Sequence, residues 1–435
     1  MCNPTSSTLI IIFLFTILHS SSQQSYLTPI TKDNSTNLYT LSLYLKTPLQ
    51  LTNLHLDLGA SLTWVDCTRR YKSSSYKHLL YNETLCIDLN TGIYGNCFKK
   101  PGPGCSIDSC EYFPENSVTR QTAIGQIMLD SLAVSTTDGR NPNGLRPIKD
   151  YVFSCGNTKL LRGLPNGVTG VAALGRFNYS LPFQLSKTSS SSSALFAVCL
   201  PSSTTGTSGN GVAFFNTAGP YYFSPGIDAS KLLIYTPLIL NPSRGTVPIY
   251  WLPSSEYFIG VSAIKVNNKS VKLNETLLKI NESGFGGTKI STSTPYTMVH
   301  TAVLKAVTEK FVAEAKSMNL TATENPVKPF NVCFPAKAIV NTRVGPAVPV
   351  IDLVLDKPGI YWRIFGSNLM VRVKDVWCLG FVDGGLEPRT SIVFGGLMIE
   401  DNLLQFDLAQ KRLGFSSSLL LKSTNCANFN FTSQN

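Results

Sequence analysis

The chain has 435 residues, of which 43% are hydrophobic and 14% charged, and its formal net charge is +11. That length exceeds one compact core and suits two lobes of roughly 200 residues each. No block of five or more Lys or Arg occurs and no apolar run reaches 18 residues, which argues against a nucleic-acid binder and against a membrane-spanning helix.

In chain order, Leu9 to Leu18 (LIIIFLFTIL) is an apolar run too short to span a bilayer. It has the length of a signal-peptide core, although no positive charge precedes it. Small residues follow at Ser20, Ser21 and Ser22, so residues 1–22 are expected to be cleaved, taking Cys2 with them. Turn residues then recur about every ten positions between short apolar runs, which predicts a mainly β protein. Tyr39, Leu41, Leu43 and Leu45 alternate with polar residues, as in a half-buried strand. Leu54 to Val65 (LHLDLGASLTWV) predicts strand, tight turn, strand. A short helix is expected near Leu181–Lys187, and exposed loops at Ser189–Ser193 and Ser202–Gly211. Near Thr294 a longer helix is expected. Thr294 can cap it, Pro295 suits its first position, and Met298, Val299, Ala302, Val303, Ala306, Val307 and Phe311 follow a 3.6-residue period.

Ten cysteines remain after residue 22: Cys67, Cys86, Cys97, Cys105, Cys110, Cys155, Cys199, Cys333, Cys378 and Cys426. An even number in a chain with a signal-like start predicts five disulfides, and their spacing is too irregular for a zinc site. Eight N-x-S/T sequons, at Asn34, Asn82, Asn178, Asn268, Asn274, Asn281, Asn319 and Asn430, fit a glycosylated exterior. The four histidines (His19, His55, His78 and His300) show no ligand spacing, and no serine has a nucleophile-elbow context, so neither a metal site nor a Ser-His-Asp site is predicted. No cofactor is expected.

Asp57-Leu58-Gly59-Ala60, followed by Leu62-Thr63-Trp64-Val65, resembles the first active-site loop of pepsin-like aspartic proteases. Ile392-Val393-Phe394-Gly395-Gly396, Glu400-Asp401-Asn402, Phe406-Asp407-Leu408 and Arg412-Leu413-Gly414-Phe415 resemble the closing strands of the same fold. The resemblance implies two β-rich lobes with a few short helices, placed at 23–215 and 216–435. Proteolysis in that fold needs two aspartates, one per lobe, which share a proton and activate a water. Close like charges split their pKa values into an acid and a base. The second aspartate should follow a Gly-Gly-Thr strand. Here Gly286-Gly287-Thr288-Lys289-Ile290 leads to Ser291 where Asp is required and to Ser293 where Gly is required, and no Asp lies between Asp228 and Asp352. Leu58 and Ala60 replace hydroxyl residues of the first loop, and no Tyr-Gly flap is recognisable between Phe113 and Asp138. A positioned acid or base is worth about 10²–10⁴-fold in rate. Asp57 is therefore expected to survive as a vestigial acceptor for loop amides.

Further motifs narrow the resemblance. They are Trp64-Val65-Asp66-Cys67, Phe113-Pro114-Glu115-Asn116, Gly286 to Tyr296, Thr342-Arg343-Val344-Gly345-Pro346, Val382-Asp383-Gly384-Gly385, Pro388-Arg389-Thr390-Ser391 and Cys426-Ala427-Asn428-Phe429-Asn430-Phe431. Together they are similar to a plant family of extracellular dermal glycoproteins, basic globulins and inhibitors of xylanase and xyloglucan-specific endoglucanase. That family pattern would carry twelve cysteines, so one disulfide near Cys86–Cys110 is expected to be absent. The resemblance implies a secreted, monomeric pseudo-protease of the apoplast or cell wall. It would place C-terminal-lobe loops in the clefts of microbial glycoside hydrolases, where an Arg can bind the paired carboxylates. Arg343 matches the inhibitory Arg of endoglucanase-inhibiting relatives. The second Arg, before the last cysteine, is missing, and Lys422 is its nearest substitute. Two other readings remain open: a residual aspartic endopeptidase, and a storage or ligand-binding basic globulin.

Overall fold

The computed structural model describes residues 24–68, 71–188, 194–202, 209–243 and 253–432. The expected signal segment, the Ser189–Ser193 run and most of Ser202–Gly211 lie outside them. The chain folds mainly as β-strands joined into one large twisted sheet system, in the pepsin-like manner that the sequence predicts.

The alternating pattern at residues 39–45 becomes the strand Tyr39–Leu45. Its four odd-numbered side chains are fully buried and the residues between them half-exposed. Each such burial contributes about 1.5–3 kcal/mol against leaving the side chain in water. This strand pairs antiparallel with Gln50–Asp57, with Thr40 opposite His55 and Leu45 opposite Gln50. The two halves of the chain meet where Leu195–Cys199 pairs antiparallel with Asn402–Asp407. Phe196 stacks on Phe406 at 4.7 Å between ring centroids, and Tyr257 lies 4.5 Å from Phe406 on the same cluster. The Cys199–Cys426 disulfide ties the same strand to the C-terminal segment. Nearby, the buried Glu400 carboxylate accepts from Tyr39 Oη at 2.5 Å and pairs with Lys32 Nζ at 2.6 Å.

All ten expected cysteines are paired, as Cys67–Cys155, Cys86–Cys110, Cys97–Cys105, Cys199–Cys426 and Cys333–Cys378. The short helix forms at Leu181–Ser186. The longer helix departs from expectation. It runs Thr301–Ser317, and its N-cap is His300, whose Nδ1 accepts from the Ala302 N–H at 3.0 Å. Thr294 and Pro295 do not start it. Residues Thr297–Val299 are instead a strand, held by Phe381–Asp383 on one side and Ile392–Phe394 on the other. Two-sided sheet pairing overrides the local capping signal.

Candidate functional site: the inter-lobe cleft and the Arg343 hairpin

Two loops of similar construction face one cleft. In the first, Gln50–Asp57 runs parallel to Gly170–Ala173, which is antiparallel to Trp64–Asp66. Val171 is thereby the common partner of His55 and Trp64. In the second, Thr288–Ile290 runs parallel to Ile392–Phe394, which is antiparallel to Thr297–Val299. Val393 is the common partner of Lys289 and Met298. Asp57 lies two residues beyond His55, and Ser291 two residues beyond Lys289. The sheet register therefore makes Ser291 the counterpart of Asp57, and Ser293 the counterpart of Gly59.

Both loops border a cavity of about 520 Å³, whose walls include Asp57, Ser117, Arg120, Glu256, Lys289, Ser291, Ser293 and Arg389. One Asp57 oxygen, Oδ1, accepts the Gly59 N–H at 2.8 Å. The other, Oδ2, accepts from the Ser117 hydroxyl, which also lies 2.8 Å from Ser293 Oγ. A second carboxylate faces the cavity from Glu256, paired with Lys289 Nζ. Burial opposes the Glu256 charge. Lys289, Arg120 and Ser254 outweigh that penalty and hold its carboxyl below the usual range.

Three features of this cleft were not legible from the loop sequences. A flap-like hairpin is present although no Tyr-Gly pair marks it: Glu115–Asn116 pairs with Gln121–Thr122, and Trp64 Nε1 donates to the Glu115 carbonyl at 2.8 Å. This hairpin brings Ser117 to Asp57, so the hydroxyl that Ala60 lacks is supplied from elsewhere. The brace between the loops is also half retained. Thr292 Oγ1 accepts the Leu58 N–H at 3.2 Å and donates to the Leu56 carbonyl at 2.7 Å. The third is His55. It is fully buried beside Asp57, with Nδ1 3.1 Å from the Tyr39 carbonyl and Nε2 3.2 Å from Ser293 Oγ.

Arg343 lies apart from the cleft. It occupies the tip of a hairpin in which Asn341 faces Pro346 and Thr342 faces Gly345, leaving Arg343 and Val344 as the turn. Thr342 Oγ1 donates to the Gly345 carbonyl at 2.8 Å, and the Ser367 N–H donates to the Val344 carbonyl at 2.8 Å. Gly345 has φ +88°, and a Cβ there would lie 2.3 Å from Ser367 N, so only glycine fits. Arg343 is exposed, and its guanidinium makes no hydrogen bond or ion pair among the described residues. It lines a second cavity of about 610 Å³ together with Lys32, Arg372, Trp377, Glu400 and Leu420. Lys422, two residues beyond Leu420, is exposed at the end of the turn Leu419–Lys422. All eight sequon asparagines are exposed. Among the described residues no group of His, Cys, Asp or Glu is arranged to hold a metal, and no helix is long and apolar enough to cross a membrane.

Fold and paired loops together define a pepsin-like, aspartic-protease-like protein. Residues 39–215 match the family model described as "Xylanase inhibitor N-terminal", and residues 256–417 match "Xylanase inhibitor C-terminal". The chain belongs to this xylanase-inhibitor family. It is 49% identical to "Probable aspartic proteinase GIP2" of Nicotiana benthamiana, over 93% of this chain and 91% of that protein. It is 40% identical to "Gamma conglutin 1" of Prunus dulcis, over 92% and 88% respectively. Among solved structures, "Crystal structure of edgp" superposes with a TM-score of 0.90 at 45% identity, covering 94% of this chain and 98% of that one.

Proposed function

We propose that this protein is a secreted, catalytically inactive aspartic-protease homologue that inhibits microbial cell-wall glycoside hydrolases, a xylanase or a xyloglucan-specific endoglucanase. The observation that carries the reading is the Arg343 hairpin. Its guanidinium is exposed and unpaired among the described residues, on a two-residue turn whose backbone is already hydrogen-bonded, so binding orders the Arg343 side chain but not the loop. A glycosidase cleft offers two carboxylates on either side of the scissile bond, and a guanidinium can donate two parallel hydrogen bonds to a carboxylate there while its charge balances the pair. The membership of a family whose two halves are both described as xylanase inhibitor supports the target class. The net charge of +11 favours approach to an acidic cleft. Five disulfides and eight exposed sequons support an extracellular setting, and we take the protein to act there, in the apoplast or cell wall, as a monomer.

The inactive reading rests on Ser291 as the register counterpart of Asp57. With a hydroxyl there, no second carboxyl can hold or exchange a proton with Asp57 across a water. A residual aspartic endopeptidase is the alternative that the name of the Nicotiana relative suggests. A storage or ligand-binding globulin is the one suggested by the conglutin relative. The discriminating experiment is an inhibition assay of the purified glycoprotein against xylanases and xyloglucanases of glycoside hydrolase families eleven and twelve, with a casein digest at acid pH beside it. Inhibition without casein cleavage supports the proposal. Absence of binding to every hydrolase in the panel overturns it, and casein cleavage lost in Asp57→Ala would establish the endopeptidase.

A further inference from the structure

At the cavity wall, four polar groups from three segments stand in line: the Asp57 carboxyl, the Ser117 hydroxyl, the Ser293 hydroxyl and the His55 imidazole, which lies on the same strand as Asp57 and ends on the Tyr39 carbonyl. The links are Asp57 Oδ2 to Ser117 Oγ, Ser117 Oγ to Ser293 Oγ at 2.8 Å, Ser293 Oγ to His55 Nε2 at 3.2 Å, and His55 Nδ1 to Tyr39 O at 3.1 Å. Four links need four hydrogens. An ionised Asp57 supplies none, each serine supplies one, and a neutral imidazole supplies one, which makes three. Ser117 shows the shortage directly, since its single hydroxyl hydrogen faces both Asp57 and Ser293.

We infer that the closed cleft takes up one additional proton, carried along the line Asp57–Ser117–Ser293–His55, and that this proton latches the 115–122 hairpin over the cavity. With it, every link is a hydrogen bond in one of two arrangements. In one, the imidazole carries both ring hydrogens and each hydroxyl donates toward Asp57. In the other, Asp57 is the carboxylic acid and donates to Ser117, which donates to Ser293, which donates to neutral His55. Burial holds the His55 imidazole below its ordinary range, against the opposing pull of the Asp57 charge and the Tyr39 carbonyl. Loss of the proton leaves one link without a hydrogen, and the hairpin, which meets the line only through Ser117, loses that tie while keeping the bonds made at Glu115 and Asn116. Closure is therefore favoured at acid pH and weakens as pH rises. The charged groups facing the line are Glu115 and Arg120 on the hairpin, Glu256 just before the strand Tyr257–Ile259, Lys289 on the strand Thr288–Ile290, and Arg389 from the loop before Ile392–Phe394. Glu256 and Lys289 pair with each other, so their net field changes little over the same range.

The test is amide hydrogen exchange of residues 115–122 in the full glycoprotein, corrected for intrinsic rates, between about pH 4 and pH 8. In the wild type, protection should fall about fivefold toward alkaline pH, the factor that one hydrogen bond supplies. In Asp57→Asn the side-chain amide provides the missing hydrogen permanently, so protection should stay high and flat. In Ser117→Ala it should be low and flat. A wild-type hairpin with no pH dependence, or an Asp57→Asn variant with the same dependence as wild type, overturns the latch. If Asp57→Asn does not fold, NMR of ¹⁵N-histidine-labelled wild type decides. With the aspartates ¹³C-labelled as well, either His55 Nε2 or the Asp57 carboxyl should shift with the same midpoint as hairpin protection, and a midpoint shared with neither overturns the inference.

Discussion

The backbone N–H of Leu58 donates to the hydroxyl of Thr292 at 3.2 Å, and that hydroxyl in turn reaches the Leu56 carbonyl at 2.7 Å. Thr292 is fully buried, and its side chain joins the second loop to the backbone of the first at two points. Replacing it with Val keeps its shape and removes both bonds, leaving a buried donor and acceptor unsatisfied. The expected cost is about 1–3 kcal/mol. Urea unfolding should show the loss in Thr292→Val and retain most of the stability in Thr292→Ser. A Val variant as stable as wild type would mean that the brace does not hold the loops.

On the proposed inactive reading, placing a carboxylate at position 291 should not confer proteolysis. In Ser291→Asp the new carboxyl shares the cleft with Asp57, and like charges at one site raise the pKa of the pair. A folded-state pKa above the unfolded one favours folding at acid pH, and that advantage is lost as pH rises through it. The variant should therefore be less stable than wild type by about 1–3 kcal/mol at pH 7 and nearly equal to it at about pH 3. Casein digestion should remain absent, because Leu58 and Ala60 still lack their hydroxyls and Ser117 still occupies Asp57. Pepstatin-sensitive cleavage by Ser291→Asp would show that Ser291 alone keeps the protein silent.

The Lys32–Glu400 pair makes a second pH-dependent prediction. Burial raises the Glu400 carboxyl above its ordinary value of 4.5, while Lys32 and the Tyr39 hydroxyl pull it back, and its Oε2 has no hydrogen-bond partner. Removing the ammonium in Lys32→Met leaves a buried carboxylate without a counter-charge, a loss on the order of 3 kcal/mol at pH 7. Once Glu400 is protonated the charge no longer needs compensating. The difference between variant and wild type should thus be small below about pH 4.5 and grow as pH rises. Chemical denaturation at several pH values measures it; a constant difference across pH would show that Lys32 acts by packing alone.

Cys199–Cys426 closes a sequence separation of 227 residues and joins the strand where the halves meet to the C-terminal segment. In a chain-entropy account, long closed loops gain most from a cross-link, and a native disulfide typically contributes about 2–5 kcal/mol. The double variant Cys199→Ser, Cys426→Ser should unfold at clearly lower temperature. Removing Cys97–Cys105, which spans only 8 residues, should cost less. Calorimetry of the two variants checks the order, and equal losses would contradict it.

The parts legible in the sequence are those written in contiguous residues. Asp57-Leu58-Gly59 sits after an alternating strand, and Gly286 to Thr294 supplies the second loop. Thr342 to Pro346 is likewise a contiguous turn that can be read directly. What escaped is assembled from distant positions. Ser117 reaches Asp57 across 60 positions and Ser293 across 176, and His55 reaches Ser293 across 238. No periodicity or motif encodes such meetings, so His55 read as an isolated histidine and the hairpin as a missing flap. The helix start failed for the opposite reason. Thr294-Pro295 satisfies every local rule for a cap, and only the pairing of Thr297–Val299 between two strands shows that the signal is outcompeted.

The last prediction concerns the exposed cations. If Arg343 binds a hydrolase carboxylate pair bidentately in a desolvated slot, Arg343→Lys should be nearly as damaging as Arg343→Ala, because an ammonium lacks the planar fork. Truncating one partner of such a pair costs about 2–5 kcal/mol, seen mainly as faster dissociation. Lys422 lies near the same cavity but lacks that geometry, so Lys422→Ala should mostly slow association and flatten its dependence on ionic strength. Lys422→Arg then becomes informative. A gain in affinity through slower dissociation would place residue 422 inside the target cleft beside Arg343. An unchanged dissociation rate would restrict it to steering. Surface plasmon resonance against a bound xyloglucanase at two salt concentrations separates the cases, and equal rates for Arg343→Ala and wild type would remove the hairpin from the interface altogether.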